Sequence, residues 1–198
     1  MIRWCLHATP CGVLRLGAFG GRLCLCDWAD VPARDFVVRR LERGLHVRFA
    51  EWPNERLRPG TGLPGIPAEP ESNFPDNPDD ADRCVLDRAV RQLDEYFAAQ
   101  RRVFDVPLLT VGTPFQRAVW ELLTEIPFGG TRSYAWLAAQ LGHPRAVRAV
   151  AAANRANALS IFIPCHRVVG SDGSLTGYAG GLAAKRLLLG LEQQQLLR

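Results

Sequence analysis

Apolar and polar positions alternate through residues 11–28, where Val13-Leu14-Arg15-Leu16 and Leu23-Cys24-Leu25-Cys26 flank Gly20-Gly21. Period-two runs around a glycine pair predict two strands joined by a tight turn. Asp35 to Leu45 reads as helix. Farther on, Val85, Ala89, Val90, Leu93, Tyr96 and Phe97 recur at helical spacing, with Asp79 or Asp80 placed to cap that helix. Between the two helices, residues 52–80 hold much of the chain's proline and glycine, with acidic residues gathering towards the end. They read as a long connection. Residues 1–107 therefore form a small α+β domain in this reading, and nothing in it announces chemistry.

The second half, residues 108–198, is more clearly punctuated. Thr113-Pro114-Phe115-Gln116 is a capping box with proline at the first helical position, opening a helix with Val119, Leu122 and Leu123 inward. Pro127-Phe128-Gly129-Gly130 ends it. Ser133 can cap a second helix through Trp136, Leu137 and Leu141, with Gly142 as terminator, and after His143-Pro144 a third spans about Arg145 to Ala153. Two short helices about a glycine-containing turn make a candidate helix-turn-helix, a motif that also occurs away from DNA. Ala146, Ala149, Ala151, Ala152 and Ala153 leave the third helix little bulk, yet Arg145, Arg148 and Arg155 remain. A helix with side chains is roughly 10–12 Å across, and the DNA minor groove is about 6 Å wide. Stripping the helix to alanine suits close entry there; tight packing in a core would favour alanine equally.

Composition and charge narrow the classes. The 198 residues are 47% hydrophobic and 22% charged, which fits a folded chain with a real core. No apolar run approaches about 18 residues, so a membrane span is excluded. The N-terminus lacks an apolar stretch of signal-peptide length, and six cysteines are too few for a disulfide scaffold. A reducing, cytoplasmic location is expected (bacterial cytoplasm, or the nucleus of a eukaryote). The net charge of +4 divides unevenly, −1 over residues 1–106 and +5 over 107–198. No carboxylate occurs between Glu125 and Asp172, while Arg132, Arg145, Arg148, Arg155 and Arg167 all fall there, a balance suited to a polyanion.

Ile161-Phe162-Ile163 reads as a buried strand leading to Pro164-Cys165-His166-Arg167-Val168. A cysteine nucleophile needs a base or a positive field, because the thiolate is the reactive form. His166 is the nearest base. Neighbours on an extended chain point to opposite faces, so a bridging water or a turn must connect them. A base is normally oriented by a third group, and Glu192 is the only carboxylate after Asp172. Gly177-Tyr178-Ala179-Gly180-Gly181 is a flexible segment whose backbone can approach a ligand closely.

The segments TPFQRAVW, IPFGGTRSYAWLA, PCHRV and GYAGGLAAKRLLL together resemble the O6-alkylguanine-DNA alkyltransferases, the methylated-DNA–protein-cysteine methyltransferases. The resemblance covers essentially residues 105–192. It implies an α+β protein with an N-terminal, ribonuclease-H-like α/β domain and a mainly helical, winged helix-turn-helix-like catalytic domain. It also implies single, irreversible transfer of an alkyl group from O6-alkylguanine, and from O4-alkylthymine, to Cys165. By the same resemblance, His166 and Glu192 activate the thiol and Tyr134 protonates the departing base. Arg148 fills the space of a base flipped out from the minor-groove side. Cys165 and Val168 carbonyls and the Ala179 N–H bind the base, Tyr178 and Gly180 shape the pocket, and Ser133, Ala146 and Ala149 meet DNA. Asn157 has a structural part. A monomer acting on duplex DNA with alkylated bases is implied, with no cofactor, metal or membrane. Structural zinc is not expected, although Cys5, His7, Cys11, Cys24 and Cys26 occur together. Ala179 and Ser160 depart from some members, which have serine and proline there. A non-catalytic lesion binder of the same fold and a Cys-His-acid hydrolase are the competing readings.

Overall fold

The computed structural model describes residues 1–51 and 78–197. Most of the Pro/Gly-rich connection therefore lies outside the described residues. Helices and sheets combine in an α+β architecture, and among the described residues no helix is long and apolar enough to cross a membrane.

The first sheet is built on a hairpin and a half. Strands β1 (Ile2–Thr9), β2 (Gly12–Ala18) and β3 (Leu23–Trp28) pair antiparallel in sequence. Helix α1 (Asp35–Leu45) then carries the chain across to β4 (Phe49–Glu51), which lies parallel to β1 at the opposite edge. The order is β3-β2-β1-β4. Alternation gives the sheet two apolar faces. Ile2, Cys24 and Leu25 meet Val37 and Leu41 of α1, while Cys5, Leu14, Leu16 and Cys26 join the main core with helix α2 (Pro78–Phe97). Asp79 and Asp80 fall inside the first turn of α2 instead of capping it, because the helix already begins at Pro78, a residue preset for that position.

The second half packs helices α3 (Pro114–Thr124), α4 (Tyr134–Gln140), α5 (Val147–Arg155) and α6 (Gly181–Leu196) beside a two-stranded parallel sheet of β5 (Arg132–Ser133) and β6 (Val168–Val169). The capping box forms as read: Thr113 Oγ1 accepts from the Gln116 N–H and Gln116 Oε1 from the Thr113 N–H. Ser133 caps α4. Helix α5 starts two residues later than its alanines predict and ends two later, leaving Arg145 before it. The main apolar cluster draws on both sides of residue 107.

Residues 161–163 are buried but are not a strand. Ile161 takes φ +74°, and the chain turns so that the Ile163 N–H reaches the Leu159 carbonyl at 2.8 Å. Such a conformation is strained for a β-branched residue and is held by tertiary bonds. Asn157 donates from Nδ2 to the Ile163 carbonyl (3.0 Å) and accepts from the Leu159 N–H (2.9 Å).

Two arginines from the first half fix the end of α5. Arg34 lies buried, donating from Nε to Asp27 (2.7 Å), from Nη2 to the Asn157 carbonyl (2.5 Å) and from Nη1 to the Arg155 carbonyl. Arg40 donates to the Ala156 carbonyl at 2.7 Å. Three successive carbonyls at a helix C-terminus thus find cationic donors, which the helix itself cannot supply. Arg34→Ala strips these and leaves Asp27 buried without its main partner. It is expected to lower unfolding free energy by about 3 kcal/mol or more in urea denaturation. A loss below about 1 kcal/mol, typical of a surface pair, would contradict this role.

Candidate active site

The turn that follows Asn157 delivers Cys165. Pro164 and the bonds Cys165 N–H to Ile163 O (2.7 Å) and Arg167 N–H to Pro164 O (3.0 Å) wind residues 165–167 into one turn of 3₁₀ helix. Cys165 and His166 therefore sit in a turn and not on an extended strand. Cys165 is 3% exposed, at the inner end of a cavity of about 700 Å³. Tyr134, Arg148, Asn157, Tyr178 and Ala179 line the same cavity, joined by Val31, Ala33 and Arg34 from the first half.

The two residues that follow Cys165 in the turn, His166 and Arg167, belong to a buried polar cluster. Glu192, inside α6, receives five hydrogen bonds. Its Oε1 accepts from Tyr96 (2.9 Å), His166 Nε2 (2.8 Å) and Arg167 Nη2 (2.9 Å); its Oε2 accepts from Arg167 Nε (2.9 Å) and the Gly129 N–H (2.9 Å). Burial alone would raise this carboxyl's pKa, yet His166 and Arg167 outweigh burial and hold it down at about 2. Burial pushes the His166 pKa below its usual range, against the pull of Glu192. Arg167 supplies the positive charge that balances the carboxylate, so His166 is neutral. A neutral imidazole that donates from Nε2 keeps a lone pair on Nδ1, and Nδ1 is buried with no partner among the described residues. Burial likewise pushes the Cys165 thiol up, opposed by hydrogen bonding from Asn157, the charge of Arg34 and the Ser160 hydroxyl. The resting site is a protonated thiol beside a neutral base.

The other residues singled out in the sequence are scattered around this centre. Tyr134 begins α4 half-buried, and burial raises its pKa while Thr176 and Asn154 lower it, so it stays a phenol. Ser133 uses its hydroxyl to cap α4, accepting from the Trp136 N–H at 3.1 Å. Arg148, Ala149 and Ala152 lie exposed on α5, and Ala146 is half-buried at its start. Val168 lies in β6, its carbonyl accepting from Lys185 Nζ at 2.6 Å. Gly180 packs against Trp28 and not into the cavity. Arg167, counted above among arginines facing a polyanion, is buried on Glu192. The sequence reading also missed Tyr96, Arg34 and Lys185. Their signal was weak: each is a polar residue within an otherwise ordinary apolar pattern. Among the described residues, no group of three or more His, Cys, Asp or Glu side chains is placed to hold a metal. All six cysteines are free, with Cys24 on the α1 side of the sheet and Cys5 and Cys26 on the other.

A buried thiol in a cavity that also has Arg148 and Arg155 in its lining, next in sequence to a histidine bonded to a buried carboxylate, is the equipment of an enzyme with a cysteine nucleophile. Comparison with known proteins narrows the class. Residues 114–194 match the family model described as 6-O-methylguanine DNA methyltransferase, DNA binding domain. The methylated-DNA–protein-cysteine methyltransferase of Methanosarcina barkeri is 54% identical over 108 residues, which cover 54% of this chain and 68% of that protein. The crystal structure of Mycobacterium tuberculosis O6-methylguanine methyltransferase, 34% identical, superposes with TM-score 0.69 over 98% of this chain and 94% of the other. A second structure from that organism, determined in complex with DNA, gives TM-score 0.70 at 33% identity, with the same coverage. The chain belongs to the methylated-DNA–protein-cysteine methyltransferases.

The charge state of Glu192 makes a stability test. A carboxyl held lower in the folded chain than in the unfolded one stabilises the fold above its ordinary pKa of 4.5, and that share is lost as the pH falls towards about 2. The gap is worth about 3 kcal/mol. Glu192→Gln is expected to be less stable at neutral pH and to show a flatter loss of stability across that acid window, measured by denaturation at stepped pH. Equal acid slopes in both proteins would refute the assignment.

Proposed function

We propose that this chain repairs DNA by moving the alkyl group of O6-alkylguanine onto Cys165, once per molecule. The observation that carries this reading is the neutral His166, fixed by Glu192 through Nε2, its Nδ1 buried and without a partner among the described residues, next in sequence to a thiol that lines the Arg148–Tyr134 cavity. A water relays the Cys165 proton to Nδ1. The thiolate sulfur attacks the alkyl carbon, an S–C bond forms, and the C–O6 bond breaks with its electron pair leaving on the base. Glu192 stabilises the imidazolium that results. Tyr134 supplies a proton near N3, so that guanine departs neutral and not as an anion. His166 and Tyr134 then return to their resting states through solvent. O4-alkylthymine offers the same leaving oxygen and is a second substrate in this reading. No step needs a cofactor, because nucleophile, base and proton donor all belong to one chain.

A duplex base cannot reach a thiol at the bottom of a cavity, so the nucleotide must be extruded. The exposed Ala149 and Ala152, between Arg148 and Arg155, give α5 a slim face for the minor groove. Arg148 occupies the hole in the stack. The Cys165 and Val168 carbonyls each already accept one hydrogen bond, from the Val168 N–H and Lys185, and each keeps a lone pair for the guanine amine. The Ala179 N–H donates to O6, a backbone contact that needs no serine side chain.

Incubation with duplex carrying labelled O6-methylguanine should leave one label per protein, on Cys165. Cys165→Ala should bind the duplex and take no label. Label on another thiol, no transfer in the parent, or repeated release of label would each reject the reading. Arg148→Ala should slow transfer from paired duplex by about a hundredfold, the equivalent of the few kcal/mol that extrusion requires. It should change transfer from a single strand far less. A uniform loss on both substrates would remove the stack-filling role.

A further inference from the structure

Trp28 ends β3, in the half of the chain that carries none of the reacting groups, yet it bears directly on the acceptor site. Its indole Nε1 donates to the Cys11 carbonyl at 3.3 Å, which pins the ring to the loop between β1 and β2. Its ring meets Tyr178 edge-on, with centroids 5.0 Å apart at 74°. Tyr178 in turn stands edge-on to His166 at 6.4 Å. Gly180 lies so close that a Cβ there would fall 2.1 Å from Trp28 Cε2 and 2.5 Å from Cζ2 and Nε1. Glycine is therefore required at 180 by the indole and not by backbone conformation, since its φ is −84°. The ring is buried, so it cannot swing into solvent to yield.

The segment held against this ring is the wall of the cavity. Tyr178 and Ala179 line it together with Cys165, and an alkyl group carried on O6 must fit between that wall and the thiol. We infer that Trp28 is a positioning and specificity residue: its indole sets how near the 177–180 segment stands to Cys165, and so limits the size of alkyl group transferred. This rests on the alkyl transfer proposed above.

The test uses the full chain and single-turnover rates on duplexes carrying O6-methylguanine or O6-benzylguanine. Trp28→Ala should let the wall recede and shift the benzyl-to-methyl rate ratio upward by about tenfold, the scale on which pocket room discriminates substrates. Trp28→Phe, which keeps an aromatic ring in the core, should shift the ratio in the same direction by less and carries the test if the alanine variant does not fold. Gly180→Ala should slow transfer of both groups, and adding Trp28→Phe or Trp28→Ala should restore methyl transfer. A packing residue with no part in specificity would lower both rates alike, leave the ratio unmoved and give no rescue, and that result overturns the inference. The parent protein in the same assay separates the two readings. If it fails to label Cys165, the transfer reading fails; if it labels Cys165 and the ratio does not move, only the role of Trp28 fails.

Discussion

The buried carboxylate of Glu192 is the interaction on which the site depends. It gathers a phenol from α2, an imidazole and a guanidinium from the 165–167 turn, and a backbone N–H from the loop after α3. Taking that charge out of water is expensive unless it is paired and its lone pairs are filled, and Arg167, with two bonds, and the three further donors meet both conditions. A buried ion pair is weak evidence for stability in itself. Here it has a chemical consequence: with Arg167 balancing the carboxylate, His166 can remain neutral, and with Glu192 accepting from Nε2, its basic lone pair is assigned to Nδ1.

The opposite side of the site is held from the first half of the chain. Arg34 and Arg40 close the C-terminus of α5, Asn157 ties the next residues to Ile163, and the turn that follows carries Cys165. The helix bearing Arg148 and the nucleophile are therefore fixed to the same short segment. Arg34 also lowers the thiol's pKa through its charge. Position and reactivity share one residue, and that residue lies more than 120 positions from the carbonyls it meets.

Local signals in the sequence were legible and distant ones were not. The Thr113–Gln116 capping box, Ser133 as a cap, the β2–β3 hairpin and α1 all rest on contacts within a few residues, and each is found where its pattern puts it. Strand β1 passed unread because both faces of the sheet are covered, with Ile2 towards α1 and Cys5 towards the main core, so no strict apolar–polar alternation marks it. The run Ile161–Ile163 reads as a strand from apolarity alone, while its turn is imposed by Asn157 and the Leu159 carbonyl. Cys165, His166 and Glu192 could be named from residue type and motif. Arg167, Tyr96, Arg34 and Trp28 each act on the site through a partner distant in sequence, Glu192 for the first two, the Asn157 carbonyl for Arg34 and Gly180 for Trp28, and no periodicity encodes such pairings. Arg167 is the instructive case: its charge was visible, its burial was not.

The central claim is that Glu192 and Arg167 together keep His166 neutral and donating from Nε2, which leaves the lone pair on Nδ1. Nitrogen NMR of the His166 ring in the resting protein, followed through the neutral pH range, tests this most directly. The account requires a neutral imidazole with the proton on Nε2 and an unprotonated Nδ1. A ring protonated on both nitrogens at neutral pH, or a neutral ring with its proton on Nδ1, would contradict it.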